Sequence, residues 1–186
     1  NNNRGSIFIM FLNTDGSVDS TVEINDDTTN GPVLSDSDYF GYSIANIGDL
    51  NNDGTNDLVV GAFADDTGGT GRGAVYILFM NTDGTASSTV KIASGTNGGP
   101  TLSDSDGFGV GVSGVGDLNN DGVQDIVVGE YANDDGGASN GAIWFLFLDA
   151  VVDSIAPDIN FSDSSVLNET STNNMSVEIN VSIVES

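Results

Sequence analysis

The sequence predicts an all-β protein built from small four-stranded sheets, and three observations carry that prediction. The chain repeats itself every 68 residues, its apolar residues fall in short runs of strand length, and no stretch shows the period of an amphipathic helix.

The repeat is plainest in one acidic stretch. Asp49, Asn51, Asp53, Gly54 and Asp57 return as Asp117, Asn119, Asp121, Gly122 and Asp125. The same interval separates Phe40-Gly41 from Phe108-Gly109, Arg4-Gly5 from Arg72-Gly73, and Leu34 to Asp38 from Leu102 to Asp106. No gap is needed anywhere. The chain therefore divides into the C-terminal part of one repeat (1–39), a complete repeat (40–107), a last, partial repeat (108–150), and a remainder outside the register (151–186).

Within the complete repeat, residues 40–47 read as a first strand whose small residues suit a place where backbones come close. The acidic loop follows, then Asp57 to Phe63, a short apolar run typical of a buried strand. A loop rich in Gly and Asp (65–71) leads to Ala74–Phe79, apolar on both faces. A turn at 81–84 precedes a more polar strand at Ser88–Ile92, suited to an outer edge. Inner strands that are apolar on both faces need a sheet covered on both sides. Sheets of this size achieve that by stacking as blades of a β-propeller, whereas a parallel β-helix needs a shorter period and separate sandwiches need longer units.

After residue 150 the turn sequence of 13–16 and 81–84 is lost. Residues 156–161 and 175–183 alternate polar and apolar side chains, which predicts a linker and the opening strands of a second β domain. Asn160, Asn168, Asn174 and Asn180 each begin an Asn-X-Ser/Thr triplet, the acceptor pattern of a glycoprotein, although so Asn- and Ser-rich a stretch also yields triplets by chance. The chain opens on Asn1-Asn2-Asn3 and reads as a segment of something longer, with upstream blades expected to complete the propeller.

Composition narrows the function. With 28 acidic residues against 3 basic ones and a formal net charge of −25, no basic patch for nucleic acid or anionic membrane can be assembled. No apolar run approaches the roughly 18 residues of a spanning helix, so no direct membrane insertion is expected. The absence of cysteine and histidine removes thiolate and imidazole metal ligands and the Ser-His and Cys-His nucleophile systems.

The acidic loops carry the chemistry. Oxygen side chains at loop positions 1, 3, 5 and 9, with glycine at 6, are how a short loop wraps a hard cation. Asx-Gly pairs also make good turns without metal, and that reading suffices for Asp15-Gly16 and Asp83-Gly84. It does not account for two copies of four oxygens at fixed odd positions, so the predicted cofactor is Ca2+. An EF-hand is excluded, because position 12 is Val60 in one copy and Val128 in the other, each in a strand-like run instead of a bidentate acid before a helix.

Phe-Gly, the Asp-X-Asn-X-Asp-Gly-X-X-Asp loop and the Gly61-Ala62-Phe63 that follows resemble the FG-GAP repeats of integrin α-subunit propellers and of many bacterial and archaeal surface proteins. The resemblance covers roughly residues 1–150. It implies an FG-GAP β-propeller of seven blades, of which about two and a half lie here, with a calcium loop joining the first two strands of each blade. It implies as ligands the side chains of Asp49, Asn51, Asp53 and Asp57 with the carbonyl of Thr55, and those of Asp117, Asn119, Asp121 and Asp125 with the carbonyl of Val123. Gly61-Ala62-Phe63 lacks the proline of the family pattern, and Gly129-Glu130-Tyr131 keeps only the glycine. The tail resembles the start of an immunoglobulin-like domain.

Three further features bear on function. Asp36, Asp38, Asp104 and Asp106 read as a solvated inter-blade loop, with a second ion as the alternative. Tyr39, Tyr42, Tyr131 and Trp144 read as packing residues, with a sugar-binding surface as the alternative. Glu130 is the one acidic departure in an apolar run, and so the best candidate for an acid or base. Near-equivalent repeats suit a scaffold better than a single catalytic site. The expected function is an extracellular or cell-surface adhesion or ligand-binding module, not an enzyme, engaging a protein or glycan ligand. The alternatives are the propeller part of a secreted hydrolase and a passive spacer.

Overall fold

The structure is a computed structural model and describes residues 2–133 and 140–149. The expectations for the tail, an immunoglobulin-like start and the four Asn-X-Ser/Thr triplets, lie outside the described residues.

Among the described residues, nine strands form three antiparallel sheets. β1 (Ile7–Leu12) pairs with β2 (Val18–Ile24). β3 (Ser43–Asn46), β4 (Leu58–Ala62), β5 (Ala74–Met80) and β6 (Ala86–Ala93) form a complete four-stranded meander. β7 (Phe108–Gly116), β8 (Asp125–Glu130) and β9 (Ala142–Leu146) form the third sheet. Among the described residues no helix is long and apolar enough to cross a membrane. The architecture is that of a β-propeller fragment.

The middle sheet is buried on both faces because its strands alternate between two cores. Val60, Ala62, Tyr76, Leu78 and Met80 join Ile7, Ile24 and Leu34 of the first repeat. Val59, Val75 and Ile77 join Phe108, Ile126 and Val128 of the third, with Trp144, Leu146 and Leu148 packed against them. Period-two alternation thus sends even-numbered β5 side chains toward the preceding sheet and odd-numbered ones toward the next.

The first strand is shorter than residues 40–47. Tyr39 and Gly41 both take positive φ (56° and 89°), and the Phe40 N–H donates to Arg4 O of the preceding sheet at 2.8 Å, so regular pairing to β4 begins only at Ser43. Phe40 and Phe108 each make a parallel bridge to a glycine of the preceding sheet, Gly5 and Gly73. The backbones meet so closely there that a Cβ on Gly73 would lie 2.1 Å from Phe108 O, and one on Gly5 2.0 Å from Phe40 O. The Phe-Gly pair is the point where one blade is joined to the next.

Two expectations are revised. Asp36 and Asp104 lie in exposed loop positions, where Arg4 Nε and Arg72 Nε donate to them at 2.8 Å. Asp38 and Asp106, however, are buried, because the backbone folds each carboxylate back onto a local amide, that of Ser35 at 2.7 Å and Ser103 at 2.5 Å. The four aromatics also separate. Trp144 packs against the core, whereas Tyr39, Tyr42 and Tyr131 are exposed and gather around Phe63, with ring centroids 5.4, 4.4 and 6.3 Å from it. These residues flank strand ends, where the side chain is released from the sheet's two covered faces.

Candidate metal centre

Each acidic loop spans the turn between the first two strands of its sheet. In the first, Asp49 Oδ2 accepts from the Gly54 N–H at 2.8 Å, and Asp49 Oδ1 and Asn51 Oδ1 both accept from the Asp53 N–H at 3.0 and 3.1 Å. Asp53 Oδ1 accepts from the Thr55 N–H at 2.8 Å, and its Oδ2 from Asn51 Nδ2 at 2.8 Å. Gly54, at φ 90°, lets the chain reverse inside this ring of oxygens. The second loop repeats the pattern: Asp117 to Gly122 at 2.8 Å, Asp117 and Asn119 to Asp121 at 3.1 and 3.2 Å, and Asp121 to Val123 at 2.8 Å.

The ninth position differs from the others in being buried. Asp57 and Asp125 are fully inaccessible. Asp57 Oδ2 accepts from the Leu50 N–H inside the loop at 2.9 Å, while Oδ1 accepts from the Met80 N–H at the end of β5, also at 2.9 Å. Asp125 does the same with Leu118 at 2.8 Å and Leu148 at 3.0 Å. This tie between the loop and the third strand gives no sign in the sequence, since it joins residues 23 apart through a main-chain donor.

The electrostatics follow from this placement. Burial raises the Asp57 pKa above the usual carboxylate range; the Met80 and Leu50 amides oppose it, and the Asp53 charge adds to it. Asp53 itself is held low by the Asn51 and Thr55 donors, and Asp121 by Val123 and Asn119. The structure brings Asp49, Asn51, Asp53, Thr55 and Asp57 into one loop and Asp117, Asn119, Asp121, Val123 and Asp125 into another. Among the described residues, no three acidic side chains close on a single point as ligands around one ion; the carboxylates are instead turned onto loop amides. The donor set is all oxygen, and the Asp49 and Asn51 side-chain oxygens face one shared amide inside the loop. A buried acid whose proton affinity is raised partly by a neighbouring carboxylate is one that a divalent cation would stabilise. Such an all-oxygen donor set suits a hard, oxygen-seeking ion, which Asp49, Asn51, Asp53 and Asp57 with the Thr55 carbonyl, and their counterparts in the second loop, would hold. Position 12 of each loop, Val60 and Val128, is buried in a strand, which is incompatible with an EF-hand.

The two loops face each other across a cleft of about 340 Å³ lined by Gly48, Asp49 and Leu50 on one side and Asp121, Gly122 and Val123 on the other. The exposed aromatic cluster lies at the other end of the same strands, because Phe63 and Tyr131 follow the last residues of β4 and β8 while the acidic loops precede their first.

Glu130 is buried, with both carboxylate oxygens engaged. Oε2 accepts from the Trp144 indole N–H, and Oε1 from Asn133 Nδ2 at 2.8 Å. Burial raises its pKa, with the Trp144 and Asn133 donors opposing and Asp106 adding to the rise. One repeat earlier the acid stands elsewhere: Asp65 accepts from the Tyr76 hydroxyl at 2.8 Å and from Lys91 Nζ at 2.7 Å, and Ala62 occupies the place of Glu130. Between repeats, Ala62, Asp65 and Tyr76 become Glu130, Asn133 and Trp144, so a buried acid has changed position while still receiving the ring donor of the third strand.

Comparison with known proteins matches this architecture. A family model, FG-GAP repeat, matches residues 40–78 and 108–146. The chain is 46% identical over 92 residues to integrin alpha-3 of Cricetulus griseus, covering 49% of this chain and 8% of that protein. It is 39% identical over 111 residues to integrin alpha-6 of Homo sapiens (55% and 9%), and 40% identical over 94 residues to integrin alpha pat-2 of Caenorhabditis briggsae (50% and 7%). The chain thus spans less than a tenth of the length of these relatives. Two FG-GAP repeats are thus matched, each enclosing an acidic loop between the first two strands of an antiparallel sheet, and about half of the chain is similar to integrin alpha chains.

Proposed function

We propose that this segment is a calcium-stiffened propeller module that acts outside the cell in adhesion, presenting one loop face to a protein or glycan ligand. The observation that carries the reading is the duplicated acidic loop whose ninth residue, Asp57 or Asp125, is buried and bonded to a main-chain amide at the end of β5 or just past β9. An ion in such a loop acts structurally, because it fixes a long turn directly to the blade core. The likeness to integrin α chains supports the adhesion role and the extracellular setting. Oxygen sites in extracellular modules bind at about 10⁻⁴–10⁻³ M, which suits calcium-rich surroundings and not the cytosol.

The ligand is assigned to the end bearing Tyr39, Tyr42, Phe63 and Tyr131. Exposed aromatic rings at strand ends can stack on a sugar or a peptide side chain, and the acidic loops occupy the other end. No catalytic role is proposed for Glu130, whose two oxygens are both taken up by Trp144 and Asn133. Calorimetric titration with calcium tests the reading: two sites per chain in the range above support it, and no heat at millimolar calcium refutes it.

A further inference from the structure

The chain's only lysine is committed to one buried carboxylate. Lys91 stands on β6, and its Nζ donates to Asp65 Oδ2 at 2.7 Å and to Thr67 Oγ1 at 3.1 Å. Asp65 lies in the loop between β4 and β5 and is 1% exposed. Its two oxygens are held differently. Oδ1 accepts from the Thr67 N–H at 2.8 Å, while Oδ2 accepts from the Tyr76 hydroxyl at 2.8 Å as well as from Lys91. The Lys91 ammonium also lies over the buried Tyr76 ring, 5.0 Å from its centroid. The repeat does not demand this pair: the residue one repeat before Lys91 is Glu23, and the one a repeat after Asp65 is Asn133.

Burial raises the Asp65 pKa, but the Lys91 and Thr67 donors outweigh it and hold the group below the ordinary carboxylate range. The resting pair is thus an ammonium and a carboxylate, which together have the composition of an amide and one water. We propose that Lys91 and Asp65 condense into an intramolecular isopeptide bond, covalently tying β6 to the loop between β4 and β5. Lys91 Nζ attacks Asp65 Cγ, so an N–C bond forms and the Cγ–Oδ2 bond breaks. Two ammonium protons leave with Oδ2 as water, the third stays on the amide nitrogen, and Oδ1 remains as the amide oxygen on the Thr67 N–H. The Tyr76 hydroxyl and the Thr67 N–H stabilise the charge on the two oxygens during the addition. Asp38 is a second buried acid whose charge reaches both groups. Its Oδ1, without a hydrogen-bond partner among the described residues, is a proton acceptor for the attacking amine. Well-oriented intramolecular pairs reach effective molarities of about 10⁵–10⁸ M, far above the concentration of water, and this favours the amide in a pocket closed to bulk solvent.

Intact-mass measurement of the purified 186-residue chain, followed by denaturation and tryptic mapping, tests this. The mass should lie about 18 Da, one water, below that of the sequence. Trypsin has sites only after Arg4, Arg72 and Lys91; the bond blocks Lys91, and peptides 5–72 and 73–186 should stay joined. Lys91→Arg keeps a cation beside Asp65 but replaces the amine with a guanidinium that does not condense. It should show its full mass and separate peptides, with circular dichroism checking that the β spectrum is kept. A wild type at its full sequence mass and cleaved at Lys91 overturns the proposal. A mass lower by one water with peptides 5–72 and 73–186 separate overturns it equally, and points to ring closure at an Asp-Gly turn.

Discussion

The Met80 N–H donates to Asp57 Oδ1 at 2.9 Å, and the Leu148 N–H donates to Asp125 Oδ1 at 3.0 Å. These bonds make the last acid of each loop a link between a surface turn and the main chain at the end of β5 or just past β9. Asp57→Ala leaves the Met80 and Leu50 amides without their acceptor and should destabilise the fold by about 2–4 kcal/mol. Asp57→Asn, which keeps one acceptor oxygen, should cost less. Urea unfolding of both variants checks the ordering, and equal costs would show that the amide bonds are not what Asp57 supplies.

Backbone contact at the Phe-Gly junction predicts a contrast between glycines. A Cβ at Gly73 would meet Phe108 O at 2.1 Å, and its φ is 88°, so Gly73→Ala must push two sheets apart. Gly122 has a similar φ of 91° but open space around it, so Gly122→Ala should cost only the left-handed strain of about 1–2 kcal/mol. Gly73→Ala should exceed this clearly in thermal denaturation.

Buried Asp38 predicts a pH effect. Its Oδ2 accepts from the Ser35 N–H, while Oδ1 is buried without a hydrogen-bond partner among the described residues. Burial pushes its pKa up to about 6, with Asp65 and Asp66 adding and the Ser35 amide and Lys91 opposing. The unfolded value is about 3.9, so the native state holds the proton more tightly. This contribution is complete below about pH 4 and is lost as pH rises through about 6. Asp38→Asn should thus be more stable than the wild type at neutral pH by on the order of 1–3 kcal/mol, with the gap closing toward pH 4. A gap that does not change with pH would contradict the assignment.

The relocated acid can be tested by moving it back. Glu130→Ala strands the Trp144 indole N–H and should cost about 2–4 kcal/mol. Adding Asn133→Asp recreates the pattern of Ala62, Asp65 and the ring donor one repeat earlier, and should recover part of that loss. A double variant no more stable than Glu130→Ala would mean that the two arrangements are not equivalent.

Much of the fold was legible because the same physical demands recur every 68 residues: apolar runs on both faces of β5, a glycine where two backbones touch, and oxygens at odd loop positions. The sequence also excluded the EF-hand, through Val60 and Val128. It did not reveal that Asp38 and Asp106 are buried, because an acid beside an exposed one looks solvated until the turn folds it onto the Ser35 or Ser103 amide. The exposure of Tyr39, Tyr42 and Tyr131 was hidden for a related reason. Alternation assigns a face only within a strand, and these residues lie just beyond strand ends. The tie from Asp57 to Met80 depends on a main-chain donor, which no side-chain pattern can display.

The central claim is that the paired acidic loops hold calcium and thereby stiffen the blades. The most direct test is the melting temperature of the chain in chelator and in about 10 mM calcium, where sites of about 10⁻⁴–10⁻³ M would each contribute about 1.4–2.7 kcal/mol. The melting temperature should rise by several degrees in calcium, and the rise should vanish in a variant carrying both Asp53→Asn and Asp121→Asn. A melting temperature that is the same in chelator and in calcium would contradict the account.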